Sequence, residues 1–440
     1  MSMRSKTLKL LASVAAGALA LGFAGCSGGG GQAAAPTTGG SGGTPSGTVV
    51  WSTWGTPEEL TRFKDFDTQF MKKYPQIKVT LNPVASYDDY HSKLLAQLTS
   101  NTAPDVFYIG DDKLGQFVSA NVLMPLNDRM AAPGSKISKD IFYPGLFGAA
   151  QVSGETYAAP NDVNPDMFWY DKKALAAAGI TEDPATLAAS DQWTTATFLE
   201  MNDKLKAAGL TGSMFWNYWA THYSWISAQG GKAYDGDSFV GNTDPKTVDA
   251  VTTLGTYFQD KTFLVADTLP EGAGADSLFV RHKAGFFVQG RYTIGTLKSA
   301  GVQADYDVVR WPTADGKAAP TGVAASYLAI NKNSKNPDAA FLFWSEFLNA
   351  DGQKFRLQGG GNAVPSVKGA DDVVLEGYPA HAQAILDARN IGFVNYPAEA
   401  KVPSLSSDIS DLFLKLYQGK ADAQGTLDAV AALAKAKIGK

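Results

Sequence analysis

Cysteine is almost absent from this chain: Cys26 is the only one in 440 residues, so no internal disulfide staples the fold and packing alone must hold it. Histidine is scarce as well. His91, His222, His282 and His381 are scattered, and with no CxxC or HExxH spacing they form no recognisable metal-ligand set, so neither a metal nor a cofactor is expected. A P-loop is missing, and so is a basic excess: 38 Lys and Arg stand against 43 Asp and Glu, which argues against a nucleic-acid-binding surface. No apolar run reaches the roughly 20 residues that span a bilayer. Two formal GxSxG matches, Gly25–Gly29 and Gly39–Gly43, sit among small residues with neither a strand before nor a helix after, so neither is a nucleophile elbow.

The first residues carry a different message. Arg4, Lys6 and Lys9 precede the apolar run Leu10–Phe23, which ends in Ala24-Gly25-Cys26, the layout of a secretory leader. Small residues before a cysteine resemble a bacterial lipoprotein lipobox, although Phe23 departs from its usual aliphatic residue. Residues 1–25 are therefore expected to be a signal peptide, and Cys26 the lipid-bearing first residue of a protein anchored to the outer face of the cytoplasmic membrane. Ser27–Gly47 consists of Gly, Ser, Thr, Ala, Pro and Gln, with no charge and nothing to bury, so 26–47 reads as a flexible tether. As a coil it spans roughly 25 Å. Without the three leader cations, 38 less 3 leaves 35 Lys and Arg against 43 acids, a net charge near −8. The remaining 415 residues (440 less 25) suffice for two cores of ordinary size, and 45% hydrophobic with 18% charged residues is a soluble globular composition.

The body alternates short apolar runs with amphipathic helices. Thr48–Trp54 reads as a buried strand, followed by a helix whose Thr56, Pro57 and Glu59 form a capping box and whose Leu60, Phe63, Phe66 and Phe70 make one buried stripe. Ile77, Val79 and Leu81 alternate as a strand, Ser86 caps a helix carrying Tyr90, Leu94 and Leu98, and Asp105–Gly110 is a further strand. This order predicts an α/β fold with a parallel sheet, in which ligands sit beyond the carboxyl ends of the strands, near Trp54 and near Asp111-Asp112. Later helices are expected from Thr194, from Asp244-Pro245 and from Asn336-Pro337, with two more beyond Pro403 split at Gly419.

The segments APDVFYIGDDKLGQFVSANVLMPL, GETYAAPNDVNPDMFWYDKKALAAAGI, FVRHKAGFFVQGRYTIGTLKSAG, YDVVRWPT, GVAASYLAINKNSKNPDAAFLFWSEFL and GGGNAVPS follow one another in an order that resembles the extracellular solute-binding proteins of bacterial sugar ABC importers, the maltose-binding-protein-like group. The resemblance covers most of residues 48–366. It implies a two-lobed periplasmic-binding-protein fold of type II with three interlobe crossings, near Tyr157–Asn161, Val323–Tyr327 and Gly361–Pro365. The lobes would be 48–160 with 327–362, and 161–326 with 363–440. It further implies a sugar bound between the lobes, closure about the crossings, and partners comprising two permease subunits with a cytoplasmic ATPase. Nothing suggests an oligomer, and a receptor rather than an enzyme is expected.

A pyranose presents apolar C–H faces, which lie on aromatic rings, and hydroxyls that pair with amides, carboxylates and Arg. Trp216–Trp225 holds five aromatics in ten residues, and Trp216 and Trp219 open it, although Trp216, Trp219 and Tyr223 also have the spacing of a helix core. Asp111 and Asp112 end a strand, where a helix cap is the competing role. Asn161 and Asp162 lie in the first crossing. Gln289 and Arg291 flank Gly290 at a strand-to-helix turn that resembles one the family uses for ligand contact, and the planar Arg fork suits paired hydroxyls. Trp54 and Trp311 end predicted strands, and Tyr87, Tyr327 and Asn362 complete the candidates. The alternatives are a receptor for another solute, such as a polyol, glycerophosphodiester or peptide, or a tethered carbohydrate hydrolase using Asp111 and Asp162 as a carboxylate pair.

Overall fold

The computed structural model describes residues 44–84, 87–270 and 274–439. The leader, Cys26, most of the tether and the Ser86 cap lie outside the described residues. Eleven strands build the two main sheets: β1 Gly47–Ser52, β2 Ile77–Leu81, β3 Val106–Gly110, β4 Ala158–Pro165, β5 Met167–Asp171, β6 Thr211–Phe215, β7 Phe263–Val265, β8 Ala284–Gln289, β9 Tyr306–Val309, β10 Val323–Ile330 and β11 Val364–Pro365. The larger sheet has the order β11-β4-β10-β3-β1-β2 and the smaller β7-β6-β8-β5-β9. As expected from strand and helix in alternation, β1 pairs in parallel with both β2 and β3. Each sheet also takes antiparallel members, β10 beside β3 and β4 in one, β5 beside β8 and β9 in the other.

Local chemistry explains the elements. Thr56 caps helix Pro57–Lys73 in a full capping box, with Glu59 returning a 2.5 Å bond to the Thr56 amide, and Phe63, Phe66 and Phe70 are buried on one face. Thr194 and Asp244 cap helices Thr195–Ala207 and Pro245–Gln259 with their side chains. Helix Pro337–Leu348 differs at its start, because the Asn336 amide donates to the Thr48 carbonyl instead of capping. Its Phe347 meets Trp51 of β1 at 5.1 Å, and Trp344 donates to the Leu328 carbonyl, so this late helix packs on the larger sheet. Beyond Pro403 the chain forms helices Leu405–Tyr417 and Ala423–Ile438, with Gly419 at φ +70° between them.

The chain changes sheets after β4, where Asp166 alone separates β4 from β5, and again between β9 and β10; beyond β11 it adds only helices, the last two of which pack into the core of the smaller sheet. The expected changeovers at 160/161 and 326/327 fall inside β4 and β10, and that at 362/363 lies just before β11. The two passages are tied together: the Asp166 amide donates to Gly322 O at 2.9 Å, and Trp311 Nε1 donates to Asp166 O at 2.7 Å. The pairing of β10 with β4 shifts register between Ser326 and Tyr327, so Ser326 faces Asp162 while Tyr327 faces Pro160. Asn161 is the extra residue of this bulge.

Candidate functional site

Two adjoining cavities open between elements that follow the carboxyl ends of strands in both sheets. The larger, about 710 Å³, has Glu58, Glu59 and Arg62 on one wall and Asp276, Tyr292 and Thr296 on the other, with Asn362 beside them. The smaller, about 210 Å³, is bounded by Asn164, Asp166, Trp216, Asn217, Asp267 and Tyr292. Tyr292 borders both. A 460 Å³ cavity on the larger sheet, bordered by Asn82, Lys93 and Asn101, has no aromatic ring in its wall and lacks the mixture a sugar requires.

The aromatic residues of the cleft are held from behind. Trp216 follows β6, lies over Phe287 at 5.6 Å and donates Nε1 to Gln289 Oε1 at 3.4 Å. Gln289 in turn donates to Asp276 at 3.0 Å. Tyr292 precedes helix Thr293–Ser299 and keeps 41% of its surface exposed, one of few large apolar groups to do so. Gly290 makes this turn possible, since a Cβ there would stand 2.6 Å from Asn164 Oδ1, the atom that accepts the Arg291 amide.

Carboxyl groups surround the rings. Glu59 serves the capping box and also accepts from Asn362 Nδ2, and burial raises its pKa above the ordinary range. Burial likewise raises Asp276 and Asp267 and carries Asp166 up to about 7. One Asp166 oxygen accepts from Thr221 at 3.1 Å, and one Asp267 oxygen accepts from the Asn217 amide at 2.7 Å. Such groups accept hydroxyl donors when ionised and become donors themselves when protonated.

The structure gathers only some of the expected residues here. Trp216 and Asn362 border the cavities, and Gln289 supports them from behind. Arg291 does not point to the cleft: it is 1% exposed, and its guanidinium donates to the carbonyls of Leu357, Gly361, Ala363 and Val373. Trp311 and Tyr327 are core rather than platforms, with Tyr327 donating to Leu146 O at 2.8 Å. Trp219 is 1% exposed and packs against Tyr218 and Phe393. Asn161 and Asp162 belong to a buried network with Arg356, which reaches Asn161 Oδ1 at 3.0 Å and Asp162 at 3.7 Å. Asp111 is buried and accepts from the Tyr218 hydroxyl, which comes from the other sheet's side, and from the Ala325 amide, so it ties the two lobes and faces no carboxylate partner at Asp162. Asp112 accepts from Tyr87 at 2.5 Å and pairs with Lys113, and Trp54 meets the Tyr87 ring edge-on at 4.9 Å, a separate cluster on the first lobe.

Sequence reasoning missed Tyr292, Asp166, Asp267, Asp276 and Glu59. Tyr292 adjoins Arg291 in the same turn, and Glu59 had been accounted for as a cap. No group of three His, Cys, Asp or Glu suited to a metal occurs among the described residues.

The model of the bacterial extracellular solute-binding protein family matches residues 54–354. The diacetylchitobiose binding protein of Streptomyces coelicolor is 27% identical over 278 residues, 59% of this chain and 60% of that protein. The maltotriose-binding protein of Pyrococcus abyssi is 24% identical over 308 residues, 67% of this chain and 61% of that protein. The chain thus spans about three fifths of the length of the curated relatives it matches. Among solved structures, an ABC substrate-binding protein of Listeria monocytogenes in complex with cycloalternan aligns with a TM-score of 0.77 at 19% identity, covering 89% of this chain and 99% of that one. The GacH receptor of Streptomyces glaucescens, solved unliganded and with acarbose, aligns at 0.75 with 18% identity, covering 90% and 99%. These likenesses establish the two-lobed fold.

Proposed function

Because this chain belongs to the bacterial extracellular solute-binding protein family, with a matched segment that covers well over half of it, we propose that it is the receptor of an ABC importer and captures a saccharide between its lobes. The observation that carries this reading is Tyr292, an exposed ring at the junction of two cavities, flanked by carboxyls and by the Asn362 amide. The ring offers an apolar platform for a sugar face, while Glu59, Asp166, Asp267 and Asp276 take its hydroxyls. The saccharides named for the relatives and neighbours agree with this chemistry. The ligand draws the lobes together because it touches both, and its differential affinity for the closed form sets that equilibrium. In this reading, the closed monomer presents its cargo to two permease subunits served by a cytoplasmic ATPase, Cys26 carries the lipid anchor, and the ligand leaves unaltered. The lobes divide at the two passages between sheets and at the return of the chain beyond β11.

Thermal unfolding of the full chain against mono-, di- and oligosaccharides tests this, with polyols, glycerophosphodiesters and short peptides as controls. A saccharide at 100 times its Kd adds about 2.7 kcal/mol of stability and a clear rise in Tm. A rise only with a control solute would replace the saccharide assignment, and release of reducing ends would make the protein a hydrolase. Detergent-phase partitioning that survives Cys26→Ser would refute the anchor.

A further inference from the structure

The two lobes meet directly at one short helix. Asp111–Ser119 follows β3 of the first lobe, and its first residue, Asp111, is 5% exposed. The Asp111 carboxyl accepts from the Tyr218 hydroxyl of the second lobe and, at 3.0 Å, from the Ala325 amide of β10, the strand by which the chain returns to the first lobe. One turn further on, at the position that shares a helix face with Asp111, stands Gly115. A Cβ there would lie 2.2 Å from the Ala400 carbonyl oxygen. Ala400 belongs to the second lobe, since the preceding Glu399 is buried in it and accepts from Tyr234 at 3.0 Å and from Ser406 at 2.5 Å. The helix thus touches the second lobe at two successive turns, once through a hydrogen bond and once through a backbone approach that glycine permits.

Tyr218 is placed for this contact by the hinge. Helix Trp219–Ala228, which it precedes, is pinned to both passages between sheets: Thr221 donates to Asp166 at 3.1 Å, and Ser224 Oγ accepts from the Gly322 amide at 2.7 Å. Tyr218 also borders the smaller cavity, whereas Asp111 and Gly115 border neither cavity, so Asp111 acts on the cleft through Tyr218. Burial, with the charge of Asp112 adding to it, carries the Asp111 carboxyl up to about 7. The neutral acid is therefore the form that suits joined lobes. Its carbonyl oxygen accepts from the amide while its hydroxyl shares a bond with Tyr218.

We infer that Asp111 is a positioning residue for closure: with Gly115 it makes helix Asp111–Ser119 a catch that holds the two lobes together before any cargo arrives. This rests on the two-lobed receptor reading above, but its test needs no ligand and so stands apart from the choice of cargo. Small-angle scattering of the ligand-free full chain reads the separation of the lobes, and hydrogen exchange reads the Ala325 amide. Asp111→Ala and Tyr218→Phe are expected to enlarge the radius of gyration by losing the bond, and Gly115→Ala by placing a wedge against Ala400. Exchange at Ala325 should be about tenfold faster in Asp111→Ala. Asp111→Asn keeps one acceptor and one donor, as the neutral acid does, and is expected to scatter like the parent. Circular dichroism checks that each variant is folded, and Tyr218→Phe, which loses a single oxygen, carries the test if Asp111→Ala does not fold. Equal radii for the parent, Asp111→Ala and Tyr218→Phe overturn the inference, whether or not Gly115→Ala expands. An Asp111→Asn chain as expanded as Asp111→Ala also overturns it. Failure of every saccharide in the unfolding assay would remove the cargo reading and leave this result unaffected.

Discussion

Replacing Arg291 by alanine separates two roles that a cleft-side arginine can play. Its guanidinium makes four donations to carbonyls, at 3.3, 2.6, 2.9 and 2.8 Å, and among the described residues no carboxylate pairs with it directly, Glu376 acting only through its more distant charge. Taking about 1.5 kcal/mol for each charge-assisted bond gives about 6 kcal/mol. Against this stands the cost of holding the charge away from water. Burial pulls the Arg291 pKa down to about 10 from 12.5, a penalty of about 3 kcal/mol. The net loss in Arg291→Ala is therefore about 3 kcal/mol, of the size seen when one side of a buried polar cluster is removed. At about 2.1 cal/mol/K per residue, a body of roughly 395 residues has an unfolding entropy near 0.8 kcal/mol/K, so Tm should fall by about 4 °C if it unfolds as one unit. Arg291→Lys keeps the charge but not the fork, and should fall in between. Scanning calorimetry of the ligand-free proteins and titration of the saccharide read the two effects apart. An unchanged Tm with affinity reduced by about a hundredfold would refute the structural role and restore Arg291 as a ligand contact.

Tyr292→Ala should show the opposite pattern, weakening the saccharide by about 30-fold or more in titration while Tm moves by about 1 °C or less, because the residue as a whole is 41% exposed. Asp67 is buried, takes both of its bonds from Trp51 Nε1 at 3.0 Å, and is raised by burial to about 7. A folded-state carboxyl raised above its unfolded value favours the protonated form, so its contribution is full below about pH 4 and is lost as pH rises to 7. Asp67→Asn should therefore be more stable than the parent at pH 8, by about 2–4 kcal/mol, with the gap closing toward pH 4 in urea unfolding; parallel curves for the two proteins would dismiss this account. Gly290→Ala should cost both affinity and stability, by about 1–3 kcal/mol in unfolding, since its Cβ displaces Asn164 from the Arg291 amide. A variant with native affinity would show that the turn relaxes freely.

The legible parts of this fold are those written in neighbouring residues. Thr56-Pro57-Glu58-Glu59, the Phe63, Phe66 and Phe70 stripe, and the caps at Thr194 and Asp244 are local patterns, and the structure contains each of them. The first passage between sheets falls at Asp166, a few residues beyond the Tyr157–Asn161 stretch that the resemblance implies, and nothing in the local sequence announces the bulge at Asn161. The strand-to-helix turn that points to Arg291 as a ligand contact is local, whereas the carbonyls it clasps come from residues 357–373, brought to it only once the chain has returned. Tyr292 is illegible for the same reason: its neighbours in sequence do not reveal that two cavities meet at this residue. Glu59 shows that a residue already explained by helix capping can still serve the cleft.

The order of the larger sheet has a bearing on biogenesis. Its central strand β10 lies between β3 and β4, and β11 completes its edge, so a sheet begun at Gly47 is not finished until Pro365 has been made. Sheets assembled from distant segments fold slowly, because loop closure precedes any pairing energy. A nascent chain of this protein therefore spends most of its synthesis unable to close its first lobe. For a member of an exported family that delay favours passage across a membrane, since a chain whose first lobe is still open is easier to thread.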